Sequence, residues 1–486
     1  MKRSRTAMEE DNITNDINQE FIDTCQNDFD SDPMNIVTRN AVVSIGSMLT
    51  TVDSKRLNTI DHVFMNSLKK KNLKSTNQGQ SGRCWLYGSL NMFRHSVIKA
   101  LGLTDFEFSE TYLFFWDKLE RSNMYLRFFI DNPNIDTNDR LFNYIVKDFT
   151  GDGGHFSTFI NLVKKYGVIP KNAMKETFQS ECSSDMNDVI NEHLQACANN
   201  ITKCIKLGHS TSRLISMKDQ TVKQIYNILV KFLGEPPKRF RFSYVTEEDD
   251  SNIIDNLTPT SFKNMMMPDV DFDNFVVLTN IPTVLQYNKT YEIKHSKNVY
   301  EGRNEKFLNL PINELSKYTT KSVLAGIPVW IAVDMSKNYN PYHSTLDDKL
   351  VSDKTVFGDV GKFSKGDRIA FNNTNSNHAM TIVGVNIGHN SKAESYQVEN
   401  SWGSIDHDEP GLDGFLYMSH SWFEKNLIQV VVHKNFLSRS VRKLLDQEPI
   451  QLEPWTNIMP ALFVKSNINH KLRWERFETR NIRLKK

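Results

Sequence analysis

The sequence predicts an α+β fold in which a helical half precedes a mostly antiparallel β half. Apolar residues recur at helical spacing between Cys84 and Leu233, and beyond the breaker Gly234-Glu-Pro-Pro they give way to short β-type runs bounded by turn residues. Size supports the same picture. At 486 residues the chain is longer than one hydrophobic core usually sustains, so two packed units are expected to face each other across a cleft.

Residues 1–35 are rich in Asn and Asp, and residues 1–34 hold nine acids against three bases; they read as a polar, mobile N-terminal arm. Residues 36–175 form the expected helical lobe. Within it Leu86, Leu90, Phe93, Val97 and Leu101 share one helix face, with Cys84 at the start and Gly102 where a C-cap belongs. A second helix follows the pair Gly153-Gly154: Phe156, Phe159, Ile160 and Val163 line one side, Lys164 and Lys165 fill the last turn, Gly167 caps and Pro170 blocks continuation. Residues 176–260 read as a helical insertion, with Val222, Ile225, Ile228, Leu229 and Phe232 on one face. Beyond Gly234-Glu-Pro-Pro the β-type runs are "RFRFSYV", "NFVVLTNIP", "TYEIKH", "PVWIAVDM", "AMTIVGVNI", "SYQVEN", "GFLYMS" and "QVVVHK", and the β-rich lobe, residues 261–445, begins near Phe262. Residues 446–462 read as a C-terminal arm, and 463–486 as a basic tail with eight bases against two acids.

A net charge of +1 gives no basic surface across the whole chain, so nucleic acid is not expected as its main partner. The first residues lack the apolar segment of a signal peptide, and no run approaches the ~18 apolar residues of a membrane span. No membrane partner is expected. The five cysteines include no CxxC pair, which argues against a disulfide framework or zinc site and for a reducing, cytoplasmic setting.

Cys84 stands where the polar loop "NQGQSGR" turns into a helix. The ordinary fate of such a cysteine is that of a small buried hydrophobe. Against this, the first turn of a helix presents unsatisfied N–H groups that favour thiolate. Gln78 offers an amide donor that could hold an oxyanion together with the Cys84 N–H, and Trp85 would exclude water. A nucleophile also needs a proton partner. His378 opens an apolar strand in "NSNHAMTIVGVN", and Asn400 in "VENSWG" could orient an imidazole beneath the indole of Trp402. Taken alone, His378 reads as a satisfied loop histidine and Asn400 as a strand-end turn residue; the ordered set is the signal.

These residues, with "SGRCW", "FEFSETYLFFWDKLER", "GDGGHFSTFINLVKKYGVIPK" and "LDQEPIQLEPW", resemble the papain-like cysteine peptidases, and within them the bleomycin hydrolase group. Secreted members carry a disulfide-forming cysteine three positions before the nucleophile; Ser81 stands there, in keeping with a cytosolic chain. The resemblance implies a two-lobed papain-like peptidase that needs no metal or organic cofactor. It makes Cys84 the nucleophile, His378 the general base and acid, Asn400 the imidazole orienter and Gln78 an oxyanion donor. It places Gly153, Gly154, Trp85, Trp402 and Leu462 along the substrate groove. It also implies peptide substrates, aminopeptidase activity and a homohexamer.

One feature departs from that pattern. The group's C-terminal arm ends soon after an Ala-Leu-type sequence, where its carboxylate meets the substrate amine; here Phe463–Lys486 follow Leu462. Trimming of this tail restores an aminopeptidase, a retained tail outside the cleft gives an endopeptidase, and a tail in the cleft plugs it. The rival reading is a catalytically silent scaffold whose basic tail, with Trp474 and Phe477 among Lys and Arg, binds nucleic acid.

Overall fold

The computed structural model describes residues 17–268, 270–389, 391–404 and 412–456. The expected helix runs Cys84–Leu101 and ends on Gly102 in the left-handed region at φ 60°, a conformation that glycine adopts at little cost. It is buried almost all round, because a second long helix, Glu110–Asp131, and the helix Phe156–Tyr166 pack beside it while a sheet lies beneath. Phe93 shows the joint: its ring stacks on Phe159 and meets Phe272 and Phe275 edge-on, at centroid distances of 5.5–6.0 Å.

The sheet is mostly antiparallel. Its order is Ile450–Leu452, Lys289–Ile293, Lys306–Asn309, Phe275–Thr279, Leu427–His433, Val329–Val333, His378–Ile387, Ala393–Glu399, Phe415–Ser419, Thr345–Leu346 and Tyr339–Asn340, with Asn66–Ser67 also pairing to His378–Ile387. Strand alternation divides the apolar residues. Trp330, Ala332, Ala379 and Val431 face the helical layer, while Val329, Ile331, Met380 and Val430 face a second core closed by the helix Ile312–Leu324. Each large apolar side chain enclosed in this way is stabilised by roughly 1.5–3 kcal/mol relative to exposure.

The helix meets the sheet at backbone distance. Gly88 has no side chain to hold them apart: a Cβ there would lie 3.2 Å from the Trp330 ring. Trp330 Nε1 donates to the Trp85 carbonyl (3.2 Å) and Thr381 Oγ1 to the Gly88 carbonyl (2.8 Å). Two adjacent strands are thereby tied to the first turns of the Cys84 helix.

Three sequence expectations change. Residues 19–31, read as part of a polar, mobile arm, are helical: Asn18 caps Gln19–Ser31 by accepting from Phe21 N (2.9 Å), and Asp32 caps Pro33–Ile45. Their abundant Asn and Asp, read as disorder-promoting, sit partly at caps. Residues 36–60, assigned above to the helical lobe, belong instead to another compact unit, which the N-terminal helices through Ile60 form with the segment Lys349–Gly361, joined by the bridge Val52 to Val351. The helical layer and the sheet form the other unit together. The segment read as a helical insertion, 176–260, is helical in Ser184–Lys206 and Thr211–Leu233 and closes with an antiparallel hairpin, Phe240–Val245 and Ser251–Leu257, whose first strand is the β-type run "RFRFSYV". Among the described residues no helix is long and apolar enough to cross a membrane, and no group of His, Cys, Asp or Glu is placed to hold a metal ion. The basic tail lies outside the described residues.

Gly167 caps Phe156–Tyr166 at φ 72°, and a Cβ there would lie 2.4 Å from the Pro259 carbonyl oxygen. Gly167→Ala is therefore expected to destabilise by about 2–4 kcal/mol, through backbone strain and overpacking. Urea unfolding with an unchanged m-value checks this.

Candidate active site

The loop that delivers Cys84 is held by its own polar groups. Gln78 Nε2 donates to the Ser81 carbonyl (2.6 Å), Ser81 Oγ to the Gln78 carbonyl (2.7 Å), and Gly82 N to Asp152 Oδ2 (3.0 Å). Arg83, enclosed at 0% exposure, pairs with Glu176 at 2.9 Å and donates from Nε to Ser81 Oγ (2.7 Å). Glu176 also receives the Tyr87 hydroxyl and the Lys171 ammonium, each at 3.0 Å. Burial disfavours its charge, but Arg83 and Lys171 outweigh that and hold its pKa well below the usual carboxylate range.

Cys84 is the first residue of its helix and is half-buried. Burial pushes its thiol up to about 11, against backbone hydrogen bonding from Ala379, Trp85 and Cys84 itself. The expectation that the helix start lowers this pKa is thus corrected in its net sign. The N-terminal amides pull it down as anticipated, but loss of solvent is the larger effect. The Ala379 contact also places the sulfur beside the residue that follows His378.

His378 opens its strand opposite Val333. Its Nε2 lies 2.8 Å from Asn400 Oδ1, and Ser401 N donates to the same Oδ1 at 2.8 Å. The second contact identifies that atom as the amide oxygen, since a backbone N–H needs an acceptor. Oδ1 cannot donate, so Nε2 carries the hydrogen, and a neutral His378 has its basic lone pair on Nδ1. Trp402 covers the pair, its ring centroid 4.6 Å from that of the imidazole. Asn400 is held from behind: Glu399 pairs with Arg94 (2.5 Å) and His95 (2.6 Å), both on the Cys84 helix.

Gln78 joins the two loops. Its N–H donates to the Ser401 carbonyl (2.9 Å) and its Oε1 accepts from Ser401 Oγ (2.6 Å), while Asn77 and Trp402 form an antiparallel bridge. One amide hydrogen is taken by Ser81; an NH₂ group carries a second.

Gly153 and Gly154 are half-buried. Trp85 is not a groove residue, contrary to expectation: its indole is 1% exposed, with Nε1 donating to the Asp152 carbonyl (2.7 Å). It lies behind Gly154, where a Cβ would come within 2.5 Å of the ring. Leu462 lies outside the described residues. Sequence reasoning missed Ser401, Glu399, Arg94, Glu176 and the buried charges Asp117, Lys118 and Arg121. The last three had a signal, as charges set within the otherwise apolar helical pattern of "YLFFWDKLERSN".

Residues 16–459 match the Peptidase C1-like family. The chain belongs to that family. It is 33% identical over 424 residues to Aminopeptidase C of Listeria monocytogenes, covering 87% of this chain and 94% of that one. It is 30% identical over 446 residues to Bleomycin hydrolase of Mus musculus, covering 90% and 97%. The crystal structure of pepw from Lactobacillus rhamnosis superposes with a TM-score of 0.87 at 27% identity, covering 92% of this chain and all of that one. Membership in this peptidase family bears out the α+β, papain-like fold class.

Two outcomes follow. In His378→Ala, alkylation of Cys84 by iodoacetamide is expected to rise with pH toward about 11, because burial keeps the sulfur protonated below that value; stopped-time mass spectrometry of the labelled protein checks it. Gly154→Ala is expected to cost about 1–3 kcal/mol and to shift Trp85 fluorescence, since the new methyl must displace the indole.

Proposed function

We propose that the protein is a papain-like cysteine aminopeptidase that hydrolyses peptide amide bonds with Cys84 as nucleophile. The carrying observation is the His378–Asn400 pair, with its tautomer set by Ser401, at a strand start whose next residue contacts the Cys84 sulfur. With the thiol raised to about 11, Cys84 rests protonated, and its proton passes to His378 Nδ1 as sulfur attacks the scissile carbonyl. Asn400 holds the imidazole and favours the imidazolium that forms. The carbonyl oxygen becomes an oxyanion, received by the Cys84 N–H and the second amide hydrogen of Gln78. His378 returns the proton to the leaving amine, and water attacks the thioester by the reverse route, with His378 now as base.

The aminopeptidase mode rests on relatives named aminopeptidase and bleomycin hydrolase. In this reading residues 463–486 are removed, so that a carboxylate near Leu462 can pair with the free amine of the substrate. Gly153 and Gly154 receive peptide backbone, and Trp402 bounds the groove. All five cysteines are free, in keeping with a reducing cytosol. Met34, Val37 and Val43 are exposed apolar residues on the second N-terminal helix and support association with further copies, for which a homohexamer is the form proposed. The alternative with a specific feature behind it is an endopeptidase that retains its tail.

The test is a mass-spectrometric time course of one peptide with a free or an acetylated N-terminus, on wild type and Cys84→Ala. Stepwise loss of residues from the free peptide alone, with a wild-type chain lacking the tail that Cys84→Ala keeps, is expected. Internal cleavage of both peptides with the tail retained moves the assignment to endopeptidase, and no cleavage of either defeats it.

A further inference from the structure

Beneath Gly153 and Gly154 lies a buried ionic shelf that the catalytic reading does not use. Asp117, Lys118 and Arg121 project from one long helix, and all three are enclosed, although an isolated buried charge is strongly disfavoured. Lys118 Nζ reaches Asp152 Oδ1 (2.8 Å), which also accepts from Asn187 Nδ2 (2.8 Å). Burial opposes the Asp152 charge, but Lys118, Ser183 and the Gly82 N–H outweigh it and hold its pKa well below the usual range. Arg121 Nε pairs with Asp117 Oδ2 (2.8 Å), Asn298 Nδ2 fixes the other carboxylate oxygen (2.8 Å), and Arg121 Nη2 donates to the Gly153 carbonyl (2.7 Å).

The consequence is directional. A trans peptide unit is planar, with C=O and N–H pointing oppositely. Trp85 Nε1 holds the Asp152 carbonyl and so aims the Gly153 N–H away from itself; Arg121 holds the Gly153 carbonyl and so aims the Gly154 N–H away from the shelf. Among the described residues neither N–H, nor the Gly154 carbonyl, has a hydrogen-bond partner within the chain. A half-buried backbone edge with oriented, unused donors and acceptor suits an extended peptide backbone.

We propose that Arg121 is a positioning residue for substrate, its guanidinium bridging Asp117 and the Gly153 carbonyl so that the Gly153-Gly154 backbone presents its hydrogen-bonding edge to a bound peptide. This rests on the peptide-cleft reading above. The fork geometry is essential, because one planar group serves both partners in fixed directions; a lysine in its place satisfies the carboxylate but not both.

The experiment measures binding and chemistry separately. Calorimetry with an unmodified peptide gives Kd for Cys84→Ala, and for the same protein carrying Arg121→Met or Arg121→Lys. Iodoacetamide alkylation of Cys84 in the single variants reports the nucleophile without using the peptide edge. Expected are a Kd raised about tenfold by Arg121→Met, the loss of roughly one oriented hydrogen bond, a smaller rise for Arg121→Lys, and an unchanged alkylation rate. Should Arg121→Met not fold, Asp117→Asn/Arg121→Met removes both charges and carries the same expectation. Equal Kd values, no binding by any of the proteins, or a parallel fall in binding and alkylation overturn the proposal. Failure of wild type to cleave peptides defeats the peptidase reading instead, and the Kd comparison still decides the role of Arg121.

Discussion

The site depends on the close contact between the Cys84 helix and the sheet at Gly88. A helix can approach a strand this nearly only where a side chain is missing, and the space is taken by the Trp330 indole, which bonds back to the Trp85 carbonyl. Thr381 closes the same contact from the neighbouring strand, three residues after His378. Side chains alternate across a strand, so a slip of one residue would turn Thr381 and Ala379 to the opposite core and take the Thr381 hydroxyl away from the Gly88 carbonyl. Cys84 and His378 are 294 positions apart in the chain, and this packing brings their segments together.

Around that contact, enclosed ion pairs tie the segments that hold Cys84, Asn400 and Gly153. Arg83 with Glu176 adjoins Cys84, Glu399 with Arg94 adjoins Asn400, and Lys118 with Asp152 adjoins Gly153. Such pairs are weak evidence of added stability, since desolvation offsets most of the attraction, but breaking one strands a buried charge. Their effect here is to make few alternative placements of these loops tolerable. The same exclusion of water raises the Cys84 thiol.

How much was legible follows from the range of each interaction. The Cys84 helix, the helix after Gly153-Gly154 and the eight longer strand runs follow local periodicity, and the sequence shows them directly. The N-terminal helices were hidden because Asn18 and Asp32, which cap them, look like the polar background around them. The order Gln78, Cys84, His378, Asn400 was visible because each stands at an element boundary beside recognisable neighbours.

By itself, the sequence determined the periodicities, the family and the candidate set Gln78, Cys84, His378 and Asn400, since these reside in residue type and short spacing. Only the tertiary structure decided that Trp85 backs Gly154 from within, that Ser401 sets the amide and the imidazole tautomer, that Arg121 reaches the Gly153 carbonyl, and that burial raises the Cys84 thiol. Each of these depends on burial and on contacts between segments distant in the chain. Both are consequences of packing and neither is written in local spacing.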